Sequence, residues 1–340
     1  MDARDRERYA RQSQFAPLGE EGQRRLRASH AAIVGCGALG SLQAEALARA
    51  GVGRLTLIDR DFVEESNLQR QWLYDEADAA EALPKAVAAA RRLRLINSGV
   101  EVEARPADVN ADTVAALVAG ADVILDGTDN FETRFLLNEL AVRDGRPWIY
   151  GAAVGGGGTV MPIVPGRTAC LACLVDPALN DAGPTCETAG ILNVASAAVA
   201  AFQTAEALKI LSGRLEAVSA RAVSLDLWGG KPRAVGVERH PDCPVCVRRE
   251  FPRLAAAGER RPAVLCGRNA VQVQERDREL DLERLRSTLE PLGEVRANEY
   301  ALRFLAPPYA MTVFRDGRAI IQGVSDVAQA RSLYARYIGV

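Results

Sequence analysis

A glycine loop between two short apolar runs is the feature that most constrains the fold of this chain. Ala31 to Val34 is predicted to be a buried strand, the sequence GCGALG follows at residues 35–40, and a helix is predicted from about Ser41 to Ala50. A second strand, residues 54–58, runs into Asp59. A strand, a tight glycine turn, a helix and a second strand in this order indicate a parallel α/β unit.

Helices and strands continue to alternate through the first half of the chain. Helices are predicted at residues 84–96, 113–119 and 131–144, and strands at 100–104, 122–125 and 147–153. This alternation predicts an α/β fold with a doubly wound, mostly parallel, Rossmann-like sheet.

The pattern changes at residues 155–190, which are rich in glycine, proline and cysteine and have weak periodicity. A long crossover loop is predicted there, because long segments without periodicity are usually functional loops. A buried helix at 191–211 and strands at 221–227 and 234–237 are predicted to follow.

A second change occurs near residue 251, in the sequence FPRLAAAGERRP. We predict that residues 1–250 form one domain, that 251–261 are a linker, and that 262–340 form a small C-terminal α+β domain. Strands are predicted there at 270–274, near 300–305, and at 311–314 and 319–323, with helices at 282–292 and 326–337. Asp316-Gly317 predicts the turn of a β-hairpin.

The net charge of −2 over 340 residues gives no bias towards nucleic acid or other polyanions. The N-terminal sequence MDARDRER has no apolar signal core, and the apolar 191–211 segment carries Gln203, Glu206 and Lys209. We therefore expect a cytoplasmic protein that neither spans a membrane nor binds nucleic acid. In that reducing compartment, seven cysteines favour metal binding or catalysis over disulfides.

The glycine loop and the residue after the second strand are predicted to hold a nucleotide. Gly35, Gly37 and Gly40 would let the backbone approach phosphate, and the helix N-terminus would supply N–H donors and a positive dipole. Asp59 is placed to accept a hydrogen bond from a ribose hydroxyl. The alternative is a tight structural turn with no ligand.

The segment that starts at Asp59, DRDFVEESNLQRQ, offers further polar groups where phosphates would lie. Asn67, Arg70 and Gln71 end this segment, and a cation near the phosphates can stabilise charge that develops during displacement. Lys85 opens a helix just beyond, which suits a phosphate contact. The alternatives are a solvated helix start and a surface lysine.

Asp126 and Asp129 follow another strand, in the sequence DGTDN at residues 126–130. The carboxyl ends of strands are where open α/β sheets bind ligands, and a carboxylate there can hold Mg²⁺ on a triphosphate. The alternative is a cap for the helix that starts at Phe131, which Asp129 or Asn130 can provide.

Two pairs of cysteines predict a metal site. Cys170 and Cys173 form the first pair and Cys243 and Cys246 the second, with 69 residues between them. Four thiolates suit tetrahedral zinc and leave no open position for catalysis, so a structural zinc is predicted. The alternative is four unrelated buried thiols.

Cys186 lies in the predicted crossover loop, in the sequence PTCETAG. An accessible cysteine there can be a nucleophile that forms a thioester, a persulfide or a disulfide, and the alternative is an incidental cysteine. The only histidines, His30 and His240, do not form a triad-like pattern, which argues against a triad hydrolase.

Together these motifs resemble the MoeB/ThiF family of bacterial relatives of ubiquitin-activating enzymes. The stretches that match the motifs of that family are RYARQ (8–12), GCGALG (35–40), the 59–71 segment, Lys85, DGTDNFETR (126–134), both cysteine pairs and the Cys186 loop. The resemblance implies an adenylyltransferase that uses Mg-ATP to adenylate the C-terminal glycine of a ubiquitin-like sulfur carrier ending in Gly-Gly, with release of pyrophosphate.

The resemblance also implies residue roles. Asp59 would hold the ATP ribose, Asn67, Arg70 and Lys85 would contact the phosphates, and Asp129 would hold Mg²⁺. Arg11 would reach into the site of a neighbouring subunit, so a homodimer is expected. The four paired cysteines would bind structural Zn²⁺, and Cys186 would serve covalent sulfur or carrier transfer, as in some members of the family.

The sequence motifs are also compatible with several sulfur pathways and with two other classes of protein. The motifs do not choose among molybdopterin, thiamine, tRNA thiolation and other sulfur pathways, and a sulfurtransferase is a further candidate partner. An NAD(P)-dependent oxidoreductase would explain the glycine loop and Asp59 but would leave Arg70, Lys85 and the zinc site without a use. A non-catalytic ATP-binding adaptor would bind a carrier without releasing pyrophosphate.

Overall fold

The computed structural model describes residues 2–177, 189–258, 263–265, 270–274 and 279–339. These residues form two compact units, Met1–Ala257 and Gly258–Val340.

One eight-stranded sheet lies at the centre of the first unit. Its strands are β1 (His30–Val34), β2 (Arg54–Ile58), β3 (Glu101–Arg105), β4 (Val123–Asp126), β5 (Trp148–Val154), β6 (Gly157–Ile163), β7 (Arg221–Asp226) and β8 (Arg233–Gly236). Their order is β3-β2-β1-β4-β5-β6-β7-β8. Strands β1 to β5 pair in parallel, and the pairs β5–β6, β6–β7 and β7–β8 are antiparallel. The predicted parallel-rich α/β sheet is therefore confirmed.

The described helices of the first unit cover both faces of this sheet or flank it. They are α1 (Ala3–Arg8), α2 (Ala10–Ser13), α3 (Gly19–Ala28), α4 (Gly40–Ala50), α5 (Glu76–Ala80), α6 (Lys85–Ile96), α7 (Val114–Leu117), α8 (Phe131–Asp144), α9 (Leu171–Leu174), α10 (Asn193–Leu211) and α11 (Pro252–Ala255), with short 3-10 turns at Glu65–Asn67 and Leu215–Ala217. The last helix, α11, includes four residues predicted as linker and packs against α8.

Apolar residues on successive positions of the parallel strands enter opposite cores, which is why these strands are apolar without alternation. In β1, Ala31 and Ile33 belong to one core, and Ala32 and Val34 belong to the other. Residues of α4, α6 and α10 complete the first core, whereas residues of α7 and α8 complete the second. This arrangement places the carboxyl ends of β1, β2 and β4 side by side at one edge of the sheet.

Strand β6 lies where the sequence predicted part of a crossover loop, so that part of the prediction is wrong. All seven residues of β6 pair with β5, from Gly157 opposite Val154 to Ile163 opposite Trp148. A Cβ at Gly158 would overlap the Ala152 carbonyl oxygen and the Val199 side chain. The glycines that hide the strand pattern are therefore needed for close packing between β5, β6 and α10.

Helix α10 is the one helix in the described part of the chain that is long and apolar enough to span a membrane by length and composition. It packs against β5, β6 and α4 in the first unit. Val199, Gln203 and Ala207 are fully buried on its inner face, which agrees with the predicted core helix.

The second unit is an antiparallel sheet with two helices. Its described elements are β9 (Ala263–Leu265), β10 (Ala270–Gln274), β11 (Glu294–Ala297), β12 (Ala301–Ala306), β13 (Tyr309–Phe314), β14 (Arg318–Gln322), α12 (Leu282–Leu289) and α13 (Val327–Tyr337). The strand order is β11-β12-β13-β14-β10-β9. Strands β13 and β14 form the hairpin predicted at Asp316-Gly317, with φ +80° at Gly317, whereas β9 and β11 were not predicted.

Candidate nucleotide and metal sites

The glycine loop joins β1 to α4 and lies against the turn that follows β4. Gly35 has φ +88°, and a Cβ on it would lie 2.5 Å from the Gly127 carbonyl oxygen. A Cβ on Gly40, the first residue of α4, would overlap the Gly35 carbonyl oxygen. Only glycine fits at these two positions, and the N-terminus of α4 is thereby placed at the carboxyl end of β1, where it can receive a phosphate.

Asp59 follows β2 and holds the glycine loop with its carboxylate. Its Oδ2 accepts a hydrogen bond from the Cys36 N–H at 2.6 Å, and its Oδ1 accepts one from the Asp61 N–H at 2.7 Å. Burial raises the pKa of Asp59, whereas the Lys85 ammonium lowers it. An ionised carboxylate has about four lone-pair sites, so both oxygens can still accept from ribose hydroxyls.

Lys85 is the first residue of α6 and is buried rather than on the surface. Its side chain is 7% exposed, and its Nζ lies 3.3 Å from Asp61 Oδ2. The Tyr74 hydroxyl donates to the Cys36 carbonyl at 2.7 Å and also lies 3.2 Å from the Lys85 carbonyl, which ties α6 to the glycine loop. The predicted alternative of a surface lysine is therefore wrong, and Asp61 and Tyr74 are site residues that sequence reasoning missed.

The other predicted site residues of the 59–71 segment, Asn67, Arg70 and Gln71, lie in or after the 3-10 turn at Glu65–Asn67. The Asn67 Oδ1 accepts the Glu64 N–H at 3.3 Å, and Arg70 Nη1 donates to the Ser66 carbonyl at 2.8 Å. Gln71 is buried next to Gly37, and its Oε1 has no hydrogen-bond partner among the described residues. A buried polar atom without a partner beside a glycine loop fits a site that is completed by a ligand.

The two carboxylates at and after the end of β4, Asp126 and Asp129, lie in different environments. Asp126 is fully buried; its Oδ1 accepts from the Thr128 N–H and hydroxyl, and its Oδ2 accepts from the Gly151 N–H and Arg134 Nε. Asp126 is therefore structural. Asp129 is exposed at the same edge of the sheet as Asp59, and a carboxylate there suits Mg²⁺.

Asn130, and not Asp129, is the N-cap of α8. Its Oδ1 accepts the Thr133 N–H at 2.9 Å. The capping alternative for Asp129 is therefore wrong, and its Oδ1 accepts a hydrogen bond from Asn130 Nδ2 at 3.4 Å.

Arg11 lies outside this group of residues. It is exposed on α2, which packs against α3. Its predicted reach into a neighbouring subunit stays a prediction, because the structure contains a single protomer. Cys186, the predicted nucleophile, lies outside the described residues.

The four paired cysteines converge into one cluster. Their sulfur atoms all lie within 4.8 Å of one another, with Sγ–Sγ distances of 3.9 Å for Cys170–Cys173 and 3.6 Å for both Cys170–Cys243 and Cys173–Cys246. Tetrahedral zinc with bonds of about 2.3 Å needs about 3.8 Å between sulfurs. The donor set and its spacing therefore fit zinc.

Burial and the close approach of the four sulfurs also affect the ionisation of these thiols. Burial raises the pKa of the Cys170 thiol well above its usual range, and the other three sulfurs raise it further. Zinc would replace those protons and stabilise the thiolates. The His240 backbone N–H donates to Cys173 Sγ at 3.5 Å, so His240 supports the cluster through its backbone and is not needed as a ligand.

Comparison of the sequence with known protein families identifies the family of this chain. The profile of the ThiF family matches residues 9–245, which is more than half of the chain. The chain belongs to the ThiF family. This finding confirms the resemblance inferred from the glycine loop, the 59–71 segment and the paired cysteines.

Two relatives in this family differ in how much of the chain they match. The sulfur carrier protein ThiS adenylyltransferase of Bacillus subtilis is 47% identical over 336 residues, which are 98% of this chain and 99% of that protein. The protein of the same name from Escherichia coli is 36% identical over 250 residues, 72% of this chain and 97% of that protein. Nearly the whole E. coli protein therefore matches only part of this chain.

A solved structure shares the fold of the ThiF domain. Escherichia coli MccB, crystallised with AMPCPP and MccA, superposes with a TM-score of 0.60 and 26% identity over 67% of this chain and 69% of that chain.

Proposed function

We propose that this ThiF-family chain adenylates the C-terminal glycine of a ubiquitin-like sulfur carrier, and that the carrier is of the ThiS type. The observation that carries the proposal is the convergence of three segments at one edge of the sheet. The glycine loop, the Asp59–Lys85 region and the turn that holds Asp129 meet there through backbone contacts and hydrogen bonds. The full-length similarity to the Bacillus subtilis ThiS adenylyltransferase supports ThiS as the carrier.

The reaction that this site supports is a displacement at the α-phosphorus of ATP. A carboxylate oxygen of the carrier's terminal glycine forms a bond to the α-phosphorus, and the bond to the bridging oxygen of the β-phosphate breaks. The electron pair leaves with pyrophosphate, and the product is an acyl-adenylate. Such a step needs positioning and charge neutralisation more than proton transfer, which suits a site without histidine.

Each candidate residue has a role in this proposal. Gly35, Gly37 and Gly40 would receive the phosphates at the start of α4, and Asp59 would hold the ribose. Asn67, Arg70, Gln71 and Lys85 would contact the nucleotide and its phosphates. The Asp61–Lys85 ion pair would hold the Lys85 ammonium beside the loop, so that little reorganisation is needed when the phosphates bind.

Two metals belong to the proposal in different ways. Asp129 would hold Mg²⁺ with ATP, and the ion would neutralise charge on the triphosphate. Cys170, Cys173, Cys243 and Cys246 would hold zinc as a structural ion, because four thiolates leave no position for a substrate.

The rival functions are not favoured. An NAD(P)-dependent oxidoreductase would use the glycine loop and Asp59, but family membership favours adenylation. The relatives named as adenylyltransferases favour adenylation over a non-catalytic adaptor as well. We also propose that the protein is a cytoplasmic homodimer and that a sulfurtransferase is a further partner. Cys186 would take part in the transfer step.

ATP–pyrophosphate exchange tests the proposed function. The purified protein, with zinc confirmed, is mixed with labelled pyrophosphate, Mg-ATP and one of several sulfur carriers that end in Gly-Gly. We expect exchange with a ThiS-type carrier and none with the same carrier shortened by its Gly-Gly tail. Exchange with a different carrier would reassign the pathway, and ATP binding without exchange with any carrier would favour the adaptor.

Mixed variants test the proposed contribution of Arg11 to a neighbouring site. Arg11→Ala and Arg70→Ala are each expected to be inactive alone. Hybrid dimers would contain one site with both arginines, so a mixture should recover about a quarter of wild-type exchange after random subunit exchange. Mass analysis of differently tagged subunits confirms that exchange took place. Hybrid dimers that form without recovery would contradict the shared site.

A further inference from the structure

One buried arginine, which has no role in the proposed chemistry, forms hydrogen bonds with the turn that carries Asp129. Arg134 is the fourth residue of α8 and is 5% exposed. Its Nε donates to Asp126 Oδ2 at 3.0 Å, and its Nη2 donates to the Thr128 carbonyl at 2.6 Å and to the Gly151 carbonyl at 3.0 Å. One guanidinium thereby joins the turn after β4 to the neighbouring strand β5.

Aromatic rings fix the plane of this guanidinium. Its central carbon lies 5.2 Å from the centroid of the Phe131 ring and 5.4 Å from that of Tyr150. Stacking of this kind suits the flat, delocalised guanidinium better than an ammonium group. The position of Arg134 is therefore determined by three hydrogen bonds and two rings.

The same turn also supports the glycine loop. The Gly127 N–H donates to the Val34 carbonyl at 2.7 Å, and the Gly127 carbonyl lies against Gly35. On the opposite side, the side-chain amides of Gln43 and Gln203 both donate to the Asp126 carbonyl. A shift of the turn would therefore move Asp129 and the phosphate-binding loop together.

We infer that Arg134 is a positioning residue for adenylation: it holds the 126–129 turn so that Asp129 and the glycine loop meet the Mg-triphosphate in one geometry. This inference rests on the proposed function. Lysine carries its three donors on one nitrogen, so it can keep the ion pair with Asp126 only by leaving the position of Nη2 between the two carbonyls. The Thr128 and Gly151 carbonyls would then lose their common donor.

Arg134→Lys is the variant that tests the inference. Misplacement of about 1 Å can cost about 100-fold in rate, so we expect kcat for pyrophosphate exchange to fall at least about tenfold. We also expect the Mg²⁺ concentration for half-maximal exchange to rise at least about threefold, and the thermal shift produced by Mg-ATP to shrink. The KM for the carrier should change little, because the turn is proposed to act on the nucleotide.

Arg253→Lys is the matched control, on helix α11, which packs against α8. Arg253 lies 4.7 Å from the Phe135 ring centroid and pairs with Glu139 of α8 at 3.6 Å, away from the 126–129 turn. The Arg253→Lys variant should keep the wild-type kcat, Mg²⁺ dependence and Mg-ATP thermal shift. If wild type shows carrier-dependent exchange and Arg134→Lys matches it in all three readouts, the inference is wrong. Absence of exchange in wild type would instead count against the proposed function.

A double variant keeps the test decisive if Arg134→Lys does not fold. Arg134→Gln with Asp126→Asn removes both charges, so no buried charge is left without a partner. The inference predicts the same rise in Mg²⁺ requirement and the same smaller Mg-ATP thermal shift in this variant. Wild-type values for both would overturn it.

Discussion

Replacing Asp129 with alanine should lower carrier-dependent pyrophosphate exchange by about 10²- to 10³-fold, the loss typical of removing one preorganised group that stabilises transition-state charge. Asp129 is exposed at the edge of the sheet, and Asn130 rather than Asp129 caps α8. The substitution should therefore leave folding intact, and zinc content and melting temperature should stay at wild-type values. Exchange measured over a range of Mg²⁺ concentrations checks the prediction.

The control is a carboxylate at the C-terminal end of α8. Asp144 is the last residue of α8 and pairs with Arg143 on the surface, so Asp144→Ala should exchange at the wild-type rate. Normal turnover of Asp129→Ala would remove the metal role from Asp129. Loss of activity together with a lowered melting temperature would point to the turn itself rather than to the metal.

Loss of zinc is expected to have the largest effect on stability. Cys170→Ser should bind well under one zinc per chain and unfold more easily, by on the order of 5 kcal/mol, because binding energy at a structural zinc site is also folding energy. Cys170 is buried, and its sulfur lies within 4.8 Å of the other three, so little can replace the lost ligand. Elemental analysis and denaturant unfolding measure the two effects.

A cysteine outside the cluster provides the comparison. Cys36 is also fully buried but lies in the glycine loop, and Cys36→Ala should retain one zinc per chain. A strong chelator should destabilise wild type and leave Cys170→Ser nearly unchanged. Full zinc content in Cys170→Ser, or equal stability with and without zinc, would contradict a four-thiolate structural site.

Local patterns were sufficient to predict the elements around the nucleotide site. Strand β2 and helix α8 have the predicted bounds, because a buried apolar run and a helix between an Asn cap and a terminal glycine are both strong local signals. The two cysteine pairs predicted a cluster across 69 residues, because four thiols at metal-ligand spacing have few other uses.

Tertiary contacts explain what the sequence did not predict. Gly157 and Gly158 conceal the start of β6, because both allow close approach of neighbouring backbones. Asp126 and Asp129 are alike in sequence, and only tertiary structure shows that the first is buried and bonded to Arg134 and Gly151. The burial of Lys85 and its pairing with Asp61 depend on how α6 packs, which no local pattern reports.

Helix α8 has a further contact that bears on how the chain can be shortened. Glu139 is 1% exposed in its side chain, and its Oε2 accepts the N–H groups of Arg253 at 2.9 Å and Leu254 at 3.1 Å. A polypeptide cut after residue 250 would lose both donors and leave a buried carboxylate without partners, whereas a cut after Ala257 would keep them. Crystallisation or fusion of the adenylation unit alone should therefore use the later end point, although the earlier one looks equally suitable by composition.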